Sequence, residues 1–259
     1  MSSENLKNVL ITGASSGIGF ELAKLFAKEN YRLILVSANK ERLEVAGQKL
    51  NDDYEVHVKI IPQDLAKPNA IENILKELNE DHIKVDVLVN NAGIGTFGSF
   101  VETNKDLELT TIRVNVEALT HLTKVILPGM IERKSGKILN VASIAAFFPG
   151  PLMSVYYATK AYVLSFSEAL NEELRGSGVT VTTLCPGPTI TEFQKKAGID
   201  MSGTGLLLTD VSFVAKKGYE GLIKGERVVV PGFWNQVVVN LVRFIPRSLL
   251  IHAVKSWHK

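Results

Sequence analysis

Residues 8–19 read Asn8-Val9-Leu10-Ile11-Thr12-Gly13-Ala14-Ser15-Ser16-Gly17-Ile18-Gly19. The apolar run 9–12 is too short for a helix, three glycines follow within seven residues, and an amphipathic stretch over 18–29 comes next. Strand, tight turn and helix in that order open a β–α unit. At such a turn missing Cβ atoms let backbone N–H groups approach a phosphate at the positive end of the helix, which makes Gly13, Ser15, Ser16, Gly17, Ile18 and Gly19 candidate phosphate contacts. The glycine spacing is not the strict G-x-G-x-x-G, and the same glycines serve tight strand-to-helix packing. The turn alone leaves both readings open.

Working outward, short runs rich in Val, Ile and Leu recur at 32–37, 56–61, 85–90, 137–141, 179–185 and 227–230. They read as strands buried on both faces. Helix-length stretches at 40–50, 68–81, 105–133 and 154–175 lie between them and are long enough to cross over, so the sheet is expected to be parallel. The fold class is α/β, a single-domain doubly wound parallel sheet with helices on both faces. In such sheets ligands bind outside the carboxyl ends of the strands, here Thr12, Ser37, Asn90, Ser143 and Pro186.

Composition narrows the function classes. With 259 residues, 46% hydrophobic and 22% charged, the chain has the profile of a compact soluble globule, and one domain is expected. Lys and Arg number 29 against 27 Asp and Glu, a balance without the basic field that holds nucleic acid. Cys185 is the one cysteine, which excludes an internal disulfide and fits a reducing, cytoplasmic setting. The five histidines show no paired metal-ligand spacing, and no metal is expected. Met1 to Asn8 reads as no secretory signal, and no run approaches the roughly 20 apolar residues of a spanning helix.

Several side chains carry chemistry. Asn91, Ala92 and Gly93 follow the fourth strand, where small residues let the backbone approach a ribose, or simply build an Asn-rich turn. Tyr156 and Lys160 stand four apart on a predicted helix, hence on one face. Ser143 closes the fifth strand thirteen residues earlier, so hydroxyl, phenol and ammonium can converge. A phenol is a poor base near neutral pH, but an adjacent ammonium lowers its pKa and makes acid–base chemistry feasible. Tyr157 lies three residues from Lys160 and reads as packing on the substrate side, and Cys185 as a buried strand-end residue.

Taken together, Thr12–Gly19, Asn90–Gly93, Asn115, Ser143, Tyr156-x-x-x-Lys160 and Pro186-Gly187 resemble, in order and spacing, the classical short-chain dehydrogenase/reductase family. The resemblance runs through Phe193. It implies a Rossmann-like sheet of seven strands in the order 3-2-1-4-5-6-7, with a nicotinamide dinucleotide bound where the order reverses. It implies Tyr156 as proton donor or acceptor, Ser143 holding the substrate oxygen, Lys160 on the nicotinamide ribose, and Asn115 holding a water that relays protons. Asp64 and Leu65 match the family's adenine contact, and Pro186, Gly187, Thr189 and Thr191 the segment flanking the nicotinamide. The implied partners are a small carbonyl or alcohol substrate and further copies of the chain, as dimer or tetramer. A dinucleotide-binding regulator or membrane-associated scaffold would keep the fold without turnover; the intact Asn115, Ser143, Tyr156 and Lys160 argue against it.

Two regions bear on specificity. The second strand ends Ser37-Ala38-Asn39-Lys40 with no acid to receive a ribose 2′-hydroxyl. Ser37, Asn39 and Lys40 can donate to a 2′-phosphate, so NADP(H) is expected ahead of NAD(H), although Ala38 and Ser16 stand where relatives often carry basic residues. Beyond the domain expected over 1–232, residues 233–259 form a cationic amphipathic tail with no acid after Glu226. It packs on the core or a partner subunit, lies on an anionic membrane surface, or covers an apolar substrate; the first is the leading expectation. The stretch 198–209 reads as a flap with an apolar tip or as a plain loop, and an apolar or bulky carbonyl compound is the expected substrate.

Overall fold

The protein is described by a computed structural model covering residues 6–198 and 205–257. Its strands are β1 (Asn8–Thr12), β2 (Arg32–Ser37), β3 (Val58–Pro62), β4 (Val87–Asn90), β5 (Gly136–Val141), β6 (Val179–Leu184) and β7 (Val228–Val229). All pair in parallel in one sheet, in the order β3-β2-β1-β4-β5-β6-β7. The chain therefore reverses direction across the sheet between β1 and β4, which opens a crevice at their carboxyl ends.

Both faces are covered, as the apolar strand runs require. Val9, Ile11, Leu33, Leu35, Val87, Val89, Leu139 and Val141 point into one core with Leu22 and Phe26 of α1 (Gly17–Lys28) and Leu43 of α2 (Lys40–Tyr54). The alternate residues Leu10, Ile34, Val36, Leu88, Ile138 and Val181 point into a second core with α3 (Ala70–Glu80) and α5 (Leu119–Glu132). Period-two alternation with apolar side chains on both sides makes these strands read as continuous hydrophobic runs.

The structure departs from the sequence expectation in two places. The single helix expected over 105–133 is α4 (Lys105–Ile112) and α5 joined by a π-helical turn, Arg113–Ala118. An extra residue in that turn re-aims Asn115 without ending the helix. α6 (Ser154–Glu173) is followed after β6 by the short α7 (Glu192–Ala197) and by α8 (Val211–Lys224), a helix absent from the expected set that packs along α1. Asp210 accepts from the N–H groups of Ser212 and Phe213 at its start, and Gly225 closes it at φ +72°. The tail folds as α9 (Phe233–Leu241) and α10 (Arg247–Trp257). Of the expected flap, residues 199–204 lie outside the described residues. Among the described residues no helix is long and apolar enough to cross a membrane.

Phe26 sits at the centre of the first core, fully buried, with Tyr31 and Tyr219 edge-on at 5.1 Å each. Phe26→Ala is expected to cost about 3–5 kcal/mol, read as a lower urea midpoint at unchanged slope.

Candidate active site

The crevice begins where β1 meets β4. Thr12 Oγ1 accepts from the backbone N–H groups of Asn91 and Ala92 at 3.0 and 3.1 Å, and Asn91 Nδ2 donates back to Thr12 O and Gly13 O at 2.9 and 3.1 Å. This lacing brings the two strand ends so close that a Cβ on Gly13 (φ +65°) would stand 2.9 Å from Ala92 Cα. Gly19 is closed in too, its virtual Cβ 2.5 Å from Gly13 O, so its absent side chain serves the seating of α1 on the turn. Ser16 is extended and its side chain caps nothing, leaving the first N–H groups of α1 without a side-chain acceptor.

Further along the strand ends, three side chains meet. Ser143 follows β5, accepts from Ala145 N at 3.1 Å and donates to Pro186 O at 3.4 Å. It also hydrogen-bonds Tyr156, which stands in the first turn of α6. One turn later Lys160 is buried, and its Nζ donates to Val141 O at 2.9 Å and lies 5.7 Å from the Tyr156 ring centre. Gly93 makes room: a Cβ there would stand 3.2 Å from that ammonium. Asn115 is brought near by the π turn. Its Oδ1 accepts from Ile94 N at 2.9 Å, and its Nδ2 donates to Ile94 O at 2.9 Å and Thr159 Oγ1 at 3.0 Å.

One cleft of about 870 Å³ joins these groups. It is lined by Gly13, Ser15, Ser16, Gly17 and Ile18, by Ser37, Asp64 and Leu65, by Asn91, Ala92 and Gly93, by Ser143, Tyr156 and Lys160, and by Pro186, Gly187, Thr189 and Thr191. Gly19 and Asn115 stand behind it. Asn39 and Lys40 do not line it either: Asn39 Oδ1 accepts from Arg42 N as the cap of α2, and Lys40 pairs with Glu44 at 3.8 Å in solvent.

Comparison with known proteins bears on the family and the fold. The sequence profile of the family described as short chain dehydrogenase matches residues 7–202. The chain belongs to that family. The proteins it resembles include reductases and alcohol dehydrogenases, and this chain is an NAD(P)-dependent oxidoreductase of that class, acting on CH–OH and C=O groups. It is 34% identical over 190 residues to a very-long-chain 3-oxoacyl-CoA reductase of Anas platyrhynchos, 72% of this chain and 61% of that one, so it spans about three fifths of the duck protein. A short-chain dehydrogenase from Sphingobium yanoikuyae solved in complex with NADPH superposes at TM-score 0.80 with 34% identity, over 94% of this chain and 98% of that one. A bulky-bulky ketone specific alcohol dehydrogenase from Comamonas testosteroni does so at TM-score 0.78 with 30% identity, over 94% and 96%.

The residues of this dehydrogenase fit a nicotinamide dinucleotide. Side chains at Gly13 and Gly93 would fill the cradle, the uncapped start of α1 offers N–H groups to a pyrophosphate, and Ser15 Oγ and Ser37 Oγ meet at 2.9 Å beside it. Asp64 Oδ1 accepts from Ala66 N at 2.9 Å and so shapes the turn after β3.

The electrostatics differ from the sequence expectation at the tyrosine. Burial pushes the Tyr156 phenol up to about 12, partly offset by the Ser143 hydrogen bond. Burial pulls Lys160 down to about 8 and pushes the neighbouring Cys185 thiol up to about 12. Desolvation of each group outweighs their mutual attraction.

Other site features carry no motif. Phe193 stacks obliquely on Tyr156 at 5.2 Å, and Gly95 presses on the same ring, a virtual Cβ standing 2.8 Å from it. Arg42 of α2 forms an ion pair with Glu192 at the start of α7, across the outer rim of the cleft. Tyr157 turns away from Lys160 into an apolar cluster with Ala145, Phe148 and Met153.

The lysine shift has a measurable consequence. Unfolded, Lys160 titrates near 10.5, and folded near 8, so between these values the unfolded chain binds more protons and stability rises with pH. Relative to Lys160→Met, the dinucleotide-free wild type is expected to gain up to about 3 kcal/mol across that window. Denaturant unfolding at several pH values checks the sign.

Proposed function

We propose that this dehydrogenase reduces the carbonyl group of an apolar, bulky substrate with NADP(H), using Tyr156 as general acid. The observation that carries the reading is the convergence of Ser143, Tyr156 and Lys160 on one point of an elongated cleft. The bound dinucleotide supplies the hydride.

The chain's own residues supply orientation and the proton. With its pKa near 12, Tyr156 is protonated at neutral pH and can give a proton to an oxygen on which negative charge grows. Ser143 Oγ, fixed between Ala145 N and Pro186 O, offers the second hydroxyl to that oxygen. Lys160, charged below about pH 8, favours the phenolate left behind, while its bond to Val141 O holds it beneath the ring. Asn115 is a positioning residue: through Thr159 Oγ1, which also donates to Tyr156 O at 2.7 Å, it ties the start of α6 to the segment after β4.

The substrate end of the cleft is walled by Phe97, Phe148, Met153, Tyr157 and Phe193, which supports an apolar ligand. The names of the duck relative and the Comamonas neighbour, a very-long-chain 3-oxoacyl-CoA reductase and a bulky-bulky ketone specific alcohol dehydrogenase, support it as well. For the dinucleotide, the absence of an acid at Ser37-Ala38-Asn39 supports NADP(H), as does the NADPH in the Sphingobium structure.

Tyr156→Phe is expected to lower kcat by at least about 100-fold on a panel of ketones and aldehydes while dinucleotide affinity stays within about twofold. A variant that keeps most of its turnover overturns the role. In direct titration NADPH is expected to bind at least about tenfold more tightly than NADH, since a 2′-phosphate meets the Ser15 and Ser37 hydroxyls and no carboxylate at the end of β2; tighter NADH binding reverses the assignment.

A further inference from the structure

The tail carries two apolar faces, and the core uses one. Val238 and Val242 pack inward, as do Leu250 and Val254, against Ala145, Phe148, Met153 and Tyr157. Those four side chains also line the substrate end of the cleft, so α9 and α10 back its apolar wall.

Among the described residues, the other face is left exposed. At the corner between the two helices Leu241, Phe244, Ile245 and Leu249 are exposed, Phe244 at 84% and Leu249 at 63%. Phe233 and Trp234, paired edge-on at the start of α9, are exposed as well. So is Leu206, whose neighbour Leu207 accepts at its backbone oxygen from Asn235 Nδ2 of α9 at 3.1 Å. Large apolar side chains in such concentration mark an interaction surface rather than scattered exposure.

Charge decides the partner. Arg243 and Arg247 stand among the exposed apolar residues of the corner, Lys255 follows, and residues 227–259 contain no acid. A second copy of the chain meeting this patch about a two-fold axis would set arginine against arginine, with no carboxylate in the segment to relieve them. An anionic lipid surface satisfies both properties at once: headgroups take the arginines and the acyl boundary takes the apolar side chains. The helices have the right size for lying flat, since 9 and 11 residues with Pro246 between them fall far short of the roughly 20 needed to span.

We propose that the corner 241–249, with Phe233, Trp234 and Leu206, seats this dehydrogenase on an anionic membrane surface. The apolar end of the cleft then lies behind the bound face, where a substrate dissolved in lipid is at hand. The surface is independent of the reaction, because none of its residues lines the cleft.

Vesicles of phosphatidylglycerol and phosphatidylcholine, against phosphatidylcholine alone, test the proposal with the full chain. The wild type is expected to sediment with the anionic vesicles, to lose binding as salt rises, and to shift its tryptophan emission to the blue, both tryptophans (Trp234 and Trp257) lying in the tail. Arg243→Glu combined with Arg247→Glu should lower binding by at least about tenfold, and Phe244→Ser with Leu249→Ser should lower it likewise. Both pairs should leave turnover of a water-soluble carbonyl unchanged. Tyr156→Phe should bind vesicles as the wild type does, which separates failure of the reaction from failure of the surface. Wild type remaining in the supernatant overturns the proposal, and so does a Phe244→Ser and Leu249→Ser pair that splits a dimer without altering vesicle binding.

Discussion

An ammonium buried beneath a phenol is the constraint on which the site depends. Lys160 is 5% exposed, and among the described residues its hydrogen-bond acceptor is Val141 O at 2.9 Å. A buried charge is costly unless it is paired, so the fold must hold this one by force of surrounding structure. That structure is specific: α6 is buried along Thr159, Lys160, Val163 and Leu164, β5 offers the carbonyl at its end, and Gly93 leaves the space that a side chain would close. Burial accordingly draws the Lys160 pKa down to about 8.

Position within the sheet explains why these groups meet. Helices cover both faces of the parallel strands, so neither face is open to a ligand; the loops at the carboxyl ends are, and they diverge where β1 and β4 part company. Thr12, Gly13, Asn91 and Ala92 lock that point with four hydrogen bonds of 2.9–3.1 Å. The glycine turn serves tight packing at both positions, Gly13 against Ala92 and Asn91 and Gly19 against Gly13 O.

The sheet was legible because burial on both faces imposes apolar runs such as Leu33–Val36, and the catalytic helix because spacing of four puts Tyr156 and Lys160 on one side. The π turn was not, since Arg113–Ala118 has the composition of ordinary helix and the extra residue follows from how Asn115 is held by Ile94 and Thr159. α8 was missed although Asp210 and Gly225 mark its ends, because its glycines, Gly218 and Gly221, weaken the helical pattern while allowing close packing on Leu184 and Val229. At the end of β2, Asn39 and Lys40 have the right chemistry for a phosphate, but capping and a surface pair engage them locally. Residue type told what each could donate; only the backbone told where.

The tyrosine shows how magnitude reverses an argument from residue type. An ammonium four residues away stabilises a phenolate, yet the apolar side chains that shape the substrate end, Phe193 against the ring among them, also desolvate it. Desolvation prevails, and the result is a phenol that keeps its proton at neutral pH. A raised pKa makes the phenol a weaker acid and its phenolate costlier to form, which is where the buried ammonium, 5.7 Å from the ring centre, acts. Burial of the ring and its acid strength are coupled here through one physical term, and a wetter cleft would relax both together.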